Sequence, residues 1–274
     1  MQRFAVTDPL DQNPPRAFPP AWVQMRPEIV ETLLAINRRF YTDFGAAFAA
    51  TRQRLQPGVQ RVLSGIANGG DWLDLGCGGG ALGLAWARRF TSGSYTGLDS
   101  SQVLLAHARQ LVRDAAPPGL TIHFSLADLA DPDWIHQVPT RPLRGVLAFA
   151  VLHHLPSFEL RRRLLNQVRG LLTPGCLFIH SNWQFQNSPK LLQRVQPWHL
   201  AGLSQDDLEP GDTLLDWRYQ LSGSGPASGL RYVHCFEPQE LRALAERTGF
   251  RLVDEFESDG ENGRLARYQS WRAV

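Results

Sequence analysis

The chain has 274 residues, which is long enough for one large domain or two small ones. Hydrophobic residues make up 43% of the sequence and charged residues 20%, proportions typical of an ordinary globular protein with a buried core. The formal net charge of +2 excludes a strong global pull toward nucleic acid or a membrane surface. No apolar run approaches the ~20 residues that span a bilayer, so we expect no membrane partner.

Three cysteines, Cys77, Cys176 and Cys235, are far apart in the chain and odd in number. Their spacing matches no zinc site, and we therefore expect no bound metal. Reduced thiols in the cytosol are the simplest interpretation, and the N-terminus lacks the charged-then-apolar pattern of a secretory signal. The sequence thus predicts a cytoplasmic protein.

The predicted elements begin with an N-terminal arm and a helical cap. Residues 1–26 are rich in proline and predict an extended or disordered arm. Residues 27–70 predict two helices, of which the first carries apolar residues near the 3.6-residue helical period. We expect these helices to cap a single domain that covers residues 27–274.

Strand and helix patterns alternate over residues 71–181. This alternation predicts an α/β fold with a Rossmann-like, doubly wound, mostly parallel sheet of seven strands. Residues 182–230 interrupt the alternation with prolines, aromatics and a Gly/Ser tract, and predict an insertion or lid after the fifth strand. Residues 231–274 predict a strand, a helix and two final strands. The first five strands are expected at 72–75, 95–98, 120–126, 145–152 and 176–180.

A glycine-rich loop, Asp74-Leu75-Gly76-Cys77-Gly78-Gly79-Gly80, follows the first of these strands and opens a helix. Its glycines allow a tight turn and the close approach of a ligand to the backbone. Gly78, Gly80 and Gly83 also spell the GxGxxG dinucleotide fingerprint, so the loop alone leaves two cofactors open. Asp74 favours the cationic amino-acid end of S-adenosylmethionine, because a carboxylate would repel a pyrophosphate.

Two more acids end the next two strands. Asp99 ends the second strand, where it is placed to accept hydrogen bonds from ribose hydroxyls, and Asp128 ends the third, where a side chain can bind an adenine amino group. Together with the loop, these acids resemble the class I S-adenosylmethionine-dependent methyltransferase superfamily over residues 71–181. The resemblance implies an enzyme with S-adenosylmethionine as its cofactor. The implied binding residues are Asp74, Gly76, Cys77, Gly78, Gly80, Asp99, Ser100, Asp128, Leu129 and Ala150.

The segment at the end of the fourth strand, Phe149 to Pro156, contains the pair His153-His154. Ligands of doubly wound sheets bind outside the carboxyl ends of the strands, so we expect at least one of these histidines beside the transferring methyl group. There it would act as a base or hold an anionic nucleophile. The alternative is that one histidine caps the following helix while the other packs, and the sequence does not distinguish the two residues.

Further segments resemble a narrower family, the tRNA wobble-uridine methyltransferases, which esterify a 5-carboxymethyl group on uridine. The segments are Asn37-Arg38-Arg39-Phe40-Tyr41, Phe48-Ala49-Ala50-Thr51-Arg52, Gly211-Asp212-Thr213-Leu214-Leu215-Asp216-Trp217, and Arg231-Tyr232-Val233-His234-Cys235-Phe236 with Glu240-Leu241. The chain departs from that family at Gln56, Val233 and Gly263, and its insertion has no counterpart in these segments. These departures weaken the prediction of the methyl acceptor more than they weaken the prediction of the fold.

The narrower resemblance implies that the methyl acceptor is tRNA, and that Arg52 and His153 orient its carboxylate. The alternative for Arg52 is a solvated side chain at the end of an aromatic core stripe. Tyr41 becomes a candidate lid residue over the cofactor. Trp183 is a candidate substrate or lid residue that could stack on an unstacked base, although such aromatics more often form the core of an insertion.

The sequence leaves the acceptor open. Arg161-Arg162-Arg163 could contact tRNA phosphate, or could form a solvated helix face. The competing hypotheses are a tRNA acceptor, a small-molecule carboxylate or hydroxyl acceptor, and a non-catalytic S-adenosylmethionine-binding partner or sensor, with an NAD-dependent oxidoreductase as a minor alternative. Neither the oligomeric state nor the need for an activating partner subunit follows from the sequence.

Overall fold

A computed structural model describes residues 24–51, 54–219 and 227–274, with the backbone alone described at 48–51, 219 and 227–228. The predicted arm before residue 24, the candidate Arg52 and the Gly/Ser tract at 222–225 lie outside the described residues. Within the described ranges, no helix is both long and apolar enough to cross a membrane.

Helices and strands alternate along the described chain much as the sequence predicts. The helices are α1 (Pro27–Thr51), α2 (Pro57–Gly65), α3 (Ala81–Arg89), α4 (Gln102–Val112), α5 (Phe158–Leu171), α6 (Pro189–Leu192) and α7 (Pro238–Arg247). The strands are β1 (Gly70–Leu75), β2 (Gly93–Asp99), β3 (Leu120–Leu126), β4 (Gly145–Phe149), β5 (Leu177–Trp183), β6 (Val195–Gln196), β7 (Asp212–Tyr219), β8 (Ala227–His234), β9 (Phe250–Ser258) and β10 (Ala266–Ala273).

The central sheet has seven strands in the order β3-β2-β1-β4-β5-β10-β9. Strands β1 to β5 pair in parallel, and β10 runs antiparallel to both β5 and β9. The predicted Rossmann-like, mostly parallel sheet of seven strands is therefore confirmed. The strand order reverses between β1 and β4, and this switch point is where doubly wound sheets bind their ligands.

Both faces of the central sheet are buried. Leu73 and Val146 lie in the core shared with α5 and α7, whereas their neighbours Trp72 and Leu147 lie in the core shared with α2, α3 and α4. Successive residues of a strand point to opposite faces, so a strand covered on both sides must be apolar throughout. This requirement explains the continuous apolar run at β4.

A second, antiparallel sheet in the order β6-β7-β8 begins within the insertion and ends just after it. The boundary expected after residue 230 falls inside β8, and the strand predicted at 232–236 pairs with β7 rather than with the central sheet. A pattern of alternation identifies a strand but not its pairing partner. Trp183 of β5 packs with Phe185, Leu215 and Val233, which seats the small sheet over the carboxyl end of β5.

A cluster of buried charges joins the small sheet to α5 and α7. The Arg161 guanidinium pairs with both Glu209 and Glu240. His234 is 2.7 Å from an oxygen of Asp212 and 2.9 Å from one of Glu240. Ligand atoms of Glu209, Asp212 and His234 lie within 4.8 Å of one another. The positively charged Arg161 guanidinium lies in the same cluster. It disfavours the binding of a divalent metal cation there, because like charges repel strongly where water is excluded.

For Arg161, this cluster corrects the interpretation of Arg161-Arg162-Arg163 as a contact for tRNA phosphate or a solvated helix face, whereas the side chains of Arg162 and Arg163 lie at the surface. The Arg161 side chain is 0% exposed. Arg162 pairs with Glu159 in its own helix, and Arg163 donates to the carbonyl of Ala130. The three arginines therefore point in different directions, and only the tertiary partners of Arg161 reveal its burial.

Candidate cofactor and acceptor site

A cavity of about 340 Å³ lies at the carboxyl ends of β1 to β4, beside the switch point. The glycine-rich loop and the two strand-end acids form one side of it. Leu34, Asn37, Arg38 and Tyr41 of α1 cover another side, and Arg231 reaches it from β8 of the small sheet. The N-terminal cap and the insertion thus enclose the place where the central strands end.

The glycines of the loop have two different tasks. Gly78 lines the cavity with a φ of +56°, and a Cβ built on it would meet no atom within 4 Å. A ligand can therefore approach the backbone closely there. Gly80 does not line the cavity, and its Cβ would lie 2.6 Å from the Cβ of Ala108 in α4. The binding role expected of Gly80 is thus replaced by close packing of α3 against α4.

Backbone donors hold the Asp99 carboxylate at the edge of the cavity. One oxygen accepts from the N–H of Gly78 and the other from the N–H of Ser101, both at 2.9 Å. Burial raises the pKa of Asp99, while these N–H groups act in the opposite direction. Each carboxylate oxygen has a second lone pair that can accept from a ligand hydroxyl. Ser100 lines the same edge.

Asp74 lies deeper in the cavity wall and is 3% exposed. It accepts a hydrogen bond from the Tyr95 hydroxyl. Burial is the main cause that raises the pKa of Asp74 to about 7; the negative charge of Asp99 adds to the rise, and the bond from Tyr95 opposes it. A bound cation would stabilise the ionised form of this acid.

Asp128 and Leu129 line the cavity beyond Asp99. One oxygen of Asp128 accepts from the N–H of Ala130 at 2.9 Å, and the other accepts from the Nε of Arg38 at 3.0 Å. Arg38 also pairs with Glu31 of its own helix at 2.6 Å, and its contact with Asp128 ties α1 to the segment after β3. The sequence offered Arg38 only as part of a family segment, although it stands one helical turn before the candidate Tyr41.

His154 lines the cavity, whereas His153 does not. His153 is 0% exposed, and its Nδ1 accepts from the backbone N–H of Trp183 at 3.3 Å. Burial, followed by the charges of His154 and Arg231, holds the pKa of His153 well below its ordinary value. The carboxylate-orienting role implied for His153 does not fit this position, because the side chain supports Trp183 from behind the wall.

The tautomer of His154 follows from its partner. Nδ1 lies 3.1 Å from the carbonyl oxygen of Tyr232, and a carbonyl can only accept, so Nδ1 carries the proton. The neutral ring then keeps its basic lone pair on Nε2. The Tyr41 hydroxyl lies 3.4 Å from Nε2, on the α1 side of the cavity. Tyr41 was expected to be a lid residue at this place.

Asn37 of α1 bonds to the backbone of both His154 and Tyr232. Its Nδ2 donates to the carbonyls of His154 and Tyr232, each at 3.2 Å, and its Oδ1 accepts from the N–H of Tyr232 at 2.9 Å. Asn37 is buried, so every one of these bonds replaces a bond to water. The side chain fixes the spacing between the histidine loop and β8.

Arg231 is a buried cation in the wall of the cavity, 4% exposed. Its guanidinium carbon lies 4.5 Å from the centroid of the Trp183 ring and 5.0 Å from that of Phe40. Trp183 also stacks on His153. Contacts of Trp217 with Phe40 and Phe44, and of Trp198 with the apolar cluster around Leu33, place the other two tryptophans in packing positions.

The cavity has further walls that sequence reasoning did not assign. No signal in a single sequence marks them, because they come from the turn before α2, from the strands β5 and β10, and from the turn after β9. Arg54 lines the cavity two residues after the candidate Arg52, which lies outside the described residues. The unassigned lining residues include Arg54, Gln56, Ser181, Asp259 and Tyr268.

The donor set fits S-adenosylmethionine better than a dinucleotide. The open space over Gly78 admits a ligand, Asp99 can accept from a ribose diol, and Asp74 can balance a cation. Leu104, Ala127 and Leu129 give the same cavity an apolar surface for a base. A pyrophosphate would instead face two carboxylates, the buried Asp74 and the half-buried Asp99, which would repel it.

Comparison with known proteins agrees with this fit. Residues 73–178 match the family model described as a methyltransferase domain. No curated protein matches the chain in sequence. Structures with a similar fold include an S-adenosylmethionine-dependent methyltransferase from Clostridium acetobutylicum, with 13% identity, a TM-score of 0.58 and coverage of 78% of this chain and 87% of that one.

Two further solved structures share the fold. A protein of the SAM-dependent methyltransferases from Methanosarcina mazei has 17% identity and a TM-score of 0.56, over 81% of this chain and 99% of that one. An amino pentose methyltransferase of calicheamicin biosynthesis from Micromonospora echinaspora, solved with SAM bound, has 18% identity and a TM-score of 0.50. That alignment covers 84% of this chain and 92% of the other.

Proposed function

We propose that this chain, a member of the class I S-adenosylmethionine-dependent methyltransferase superfamily, methylates a hydroxyl oxygen of a small-molecule acceptor. The observation that carries the proposal is the tautomer of His154. Its Nδ1 lies 3.1 Å from the Tyr232 carbonyl oxygen, so Nδ1 carries the proton and the basic lone pair is on Nε2, which lies 3.4 Å from the hydroxyl of Tyr41, another lining residue of the cavity. His154 is then a general base for the acceptor.

The cofactor is S-adenosylmethionine, which when bound supplies a methyl group made electrophilic by the sulfonium. The residues proposed to hold it are those that the loop and the strand ends bring to the cavity. Asp99 is assigned to the ribose hydroxyls and Asp74 to the cationic end. The remaining residues proposed for this role are Gly76, Cys77, Gly78, Ser100, Asp128, Leu129 and Ala150.

A hydroxyl fits the basic nitrogen of His154 better than a carboxylate does. A hydroxyl must lose its proton as the new O–C bond forms, and a positioned base contributes about 10²–10⁴-fold to the rate of such a step. A carboxylate is already ionised near neutral pH, needs no base, and would face the lone pair of Nε2. The Tyr41 hydroxyl lies 3.4 Å from the same nitrogen, where the side chain helps to exclude water from the reacting atoms.

A small acceptor suits the enclosed shape of the cavity. Cavities of a few hundred Å³ typically hold small molecules, and α1 and the small sheet cover this one. Among proteins of similar fold, the Micromonospora echinaspora enzyme is named for an amino pentose acceptor. Among the arginines of α5, Arg161 is buried in the ion cluster, and Arg162 and Arg163 bond to Glu159 and to the Ala130 carbonyl.

The second candidate acceptor is the carboxymethyl group of a tRNA wobble uridine. One observation favours it. Arg231 begins the Arg-Tyr-Val-His-Cys-Phe segment of the narrower family resemblance and lies in the cavity wall, where it could hold the carboxylate. In that case His154 would orient the acceptor without removing a proton.

The test is transfer of labelled methyl from S-adenosylmethionine to a small-molecule extract of the source cells and, in parallel, to bulk tRNA. We expect label in the extract, in a product that mild base does not release, as for a methyl ether. Label in tRNA that mild base releases would replace the proposal with the wobble-uridine ester. Base-labile label in the extract would leave a small acceptor but replace the hydroxyl with a carboxylate.

The role of His154 is tested with His154→Asn, whose amide can still donate to the Tyr232 carbonyl but cannot act as a base. We expect turnover to fall by about 10²-fold or more, with nearly unchanged affinity for S-adenosylhomocysteine. His136→Asn is the matched control, since His136 is 75% exposed and lies outside the cavity. Normal turnover of His154→Asn would show that His154 is not the base.

A further inference from the structure

We infer that His234 is a positioning residue for the proposed base. As an imidazolium between Asp212 and Glu240, it anchors β8 to the core, and the edge of β8 in turn fixes the ring of His154. This inference rests on the proposed function, because His154 is the base only in that proposal. It adds a pH-dependent control of the same site by a side chain that does not line the cavity.

The first argument is the protonation state of His234, which its partners determine. Nδ1 lies 2.7 Å from an oxygen of Asp212, and Nε2 lies 2.9 Å from an oxygen of Glu240. An ionised carboxylate only accepts hydrogen bonds, so each ring nitrogen must donate, and a histidine with two N–H groups is a cation. The Tyr232 hydroxyl also donates to Asp212 at 2.7 Å, and Arg161 also donates to Glu240 at 3.2 Å. Both bonds stabilise the ionised carboxylates.

The charges around His234 favour the cation as well. Burial and the Arg161 charge act to lower the pKa of His234, but the charge of Glu240 and the bonds to both carboxylates raise it above its ordinary value. Conversely, burial acts to raise the pKa of Glu240, and the charge of His234 lowers it. The charged and titratable groups that face the ring are Arg161 of α5, Glu209 before β7, Asp212 at the start of β7, Tyr232 of β8, Glu240 of α7 and the neutral His153 after β4.

The second argument is a path of bonds from His234 to the proposed base. The Asp212 oxygen that faces His234 also accepts from the Tyr232 hydroxyl, at 2.7 Å. The backbone carbonyl of the same tyrosine accepts from Nδ1 of His154 at 3.1 Å. Tyr232 thus contacts the buried charge cluster with its side chain and His154 with its backbone.

The third argument is the position of β8 at the edge of the small sheet. The N–H and the carbonyl of Tyr232 bond to Asn37 and His154 instead of to a further strand. Tyr232 and His234 are two positions apart, so their side chains lie on one face of β8, where both bond to Asp212. The distance of 3.1 Å from Nδ1 to the carbonyl is near the long end of the range of about 2.7–3.2 Å for N–H···O bonds. A small shift of β8 would therefore break the bond that sets the tautomer of His154.

Loss of one proton from His234 would weaken this anchor. One ring nitrogen would then direct a lone pair at a carboxylate, and Arg161 would be the remaining cation among three buried acids. Because the folded pKa of His234 lies above the ordinary value of 6.5, the stabilisation is complete below pH 6.5 and is lost as the pH rises through the raised value. We therefore expect the alkaline limit of turnover to follow His234, while the acidic limit follows protonation of His154 itself.

The test measures protonation rather than methyl transfer, so its outcome does not depend on whether His154 is the base. Nuclear magnetic resonance of the imidazole nitrogens would be recorded on the full chain, with ¹⁵N-labelled histidine and saturating S-adenosylhomocysteine. At about pH 7, above the ordinary pKa of 6.5, we expect two protons on His234 and a single proton, on Nδ1, for His154. As the pH rises further, His154 should lose its preference for the Nδ1 tautomer in the range in which His234 loses a proton.

Substitution tests the path at constant pH. His234→Asn keeps a donor for Asp212 but carries no charge, and Tyr232→Phe removes the hydroxyl from the path. In both variants we expect the ratio of the Nδ1–H to the Nε2–H tautomer of His154 to fall about tenfold, the value of one hydrogen bond in an equilibrium constant. The affinity for S-adenosylhomocysteine should change little, which also reports that each variant is folded.

Two matched variants leave the path intact. His136→Asn replaces a histidine whose side chain is 75% exposed. Thr248→Val removes a buried hydroxyl that donates to the Leu244 carbonyl at 2.7 Å, at the end of α7. Neither substitution should change the tautomer of His154.

Three results would overturn the inference. The first is a single proton on His234 at about pH 7. The second is an Nδ1 tautomer of His154 that persists after His234 loses its proton, or in the folded His234→Asn protein. The third is an equal change in Thr248→Val, which would attribute the effect to a general loss of stability. The expected tautomer change combined with full turnover of His154→Asn would instead support the coupling and reject the proposed base.

Discussion

Asn37 of α1 and Tyr232 of β8 exchange two hydrogen bonds, although 195 positions separate them in the chain. The Tyr232 carbonyl accepts from Asn37 and also from Nδ1 of His154. One peptide group of the insertion is thus shared by the N-terminal cap and the histidine proposed as the base. The protonation of His154 depends on how three distant segments meet.

Asn37→Leu tests this relationship. Leucine has a similar shape but leaves the carbonyl of His154 and both backbone groups of Tyr232 without this partner, and each unpaired buried group costs about 1–3 kcal/mol. We expect a lower free energy of unfolding in urea and lower turnover. Thr42→Val in the same helix is the control, because the exposed Thr42 hydroxyl bonds to the Arg38 carbonyl of its own helix. Equal losses in both variants would contradict a specific role for Asn37.

Asp99→Asn tests the proposed ribose contact. An amide keeps one acceptor oxygen but turns an NH₂ group toward one of the two N–H donors, from Gly78 or Ser101, that now hold the carboxylate. We expect the affinity for S-adenosylhomocysteine in calorimetry to fall about 10²-fold. The exposed Asp133→Asn should bind normally. An unchanged affinity of Asp99→Asn would remove Asp99 from the cofactor site.

The raised pKa of Asp74 predicts a pH-dependent stability. Its folded value is about 7, above the ordinary value of 3.8, so the folded chain holds this proton more tightly than the unfolded chain does. The stability from this group is complete below its ordinary pKa and is lost as the pH rises through 7. Above that pH the protein buries a carboxylate that costs free energy.

Asp74→Asn should therefore become more stable relative to the wild type as the pH rises. The amide oxygen can still accept from the Tyr95 hydroxyl but cannot ionise. We expect the difference in melting temperature, measured without cofactor, to grow in favour of the variant between about pH 5 and pH 8. The exposed Asp114→Asn should show no such trend. A difference that is constant with pH would mean that Asp74 titrates below this range.

Arg161→Met tests the buried charge cluster. Without the guanidinium, Glu209 and Glu240 lose their buried cation, and breaking such a pair typically costs about 3–5 kcal/mol. Arg162→Met, one position along, removes an exposed pair with Glu159 and should cost less than about 1 kcal/mol. Equal midpoints of urea unfolding for the two variants would show that the cluster does not hold the insertion to the core.

Several elements followed directly from local patterns in the sequence. The strand predicted at 120–126 coincides with β3, and Ser101, whose residue type is typical of helix caps, accepts from the N–H of Leu104 at the start of α4. Apolar periodicity and capping depend on residues within one turn or one strand of each other. Such features can be identified without knowledge of the rest of the chain.

Local patterns in the sequence did not predict which strand pairs with β8 or which roles the arginines have. Arg161 and Arg231 have the same side chain, yet one closes a buried ion cluster and the other faces the cavity. The difference comes from Glu209, Glu240 and Trp183, which lie in other segments. No pattern around either arginine carries that information.

By itself, the sequence determined the α/β class, the positions of the first five strands along the chain, and the placement of the glycine-rich loop, of Asp99 at the end of β2 and of Asp128 just after β3. These features belong to successive strand–loop–helix units, whose geometry is set by nearby residues. Only the tertiary structure decided that His154 rather than His153 lines the cavity, that its proton lies on Nδ1, and that Arg231 shares the wall. Each of these depends on a contact between segments far apart in the chain, where the partner, and not the residue type, sets the direction and the charge of the side chain.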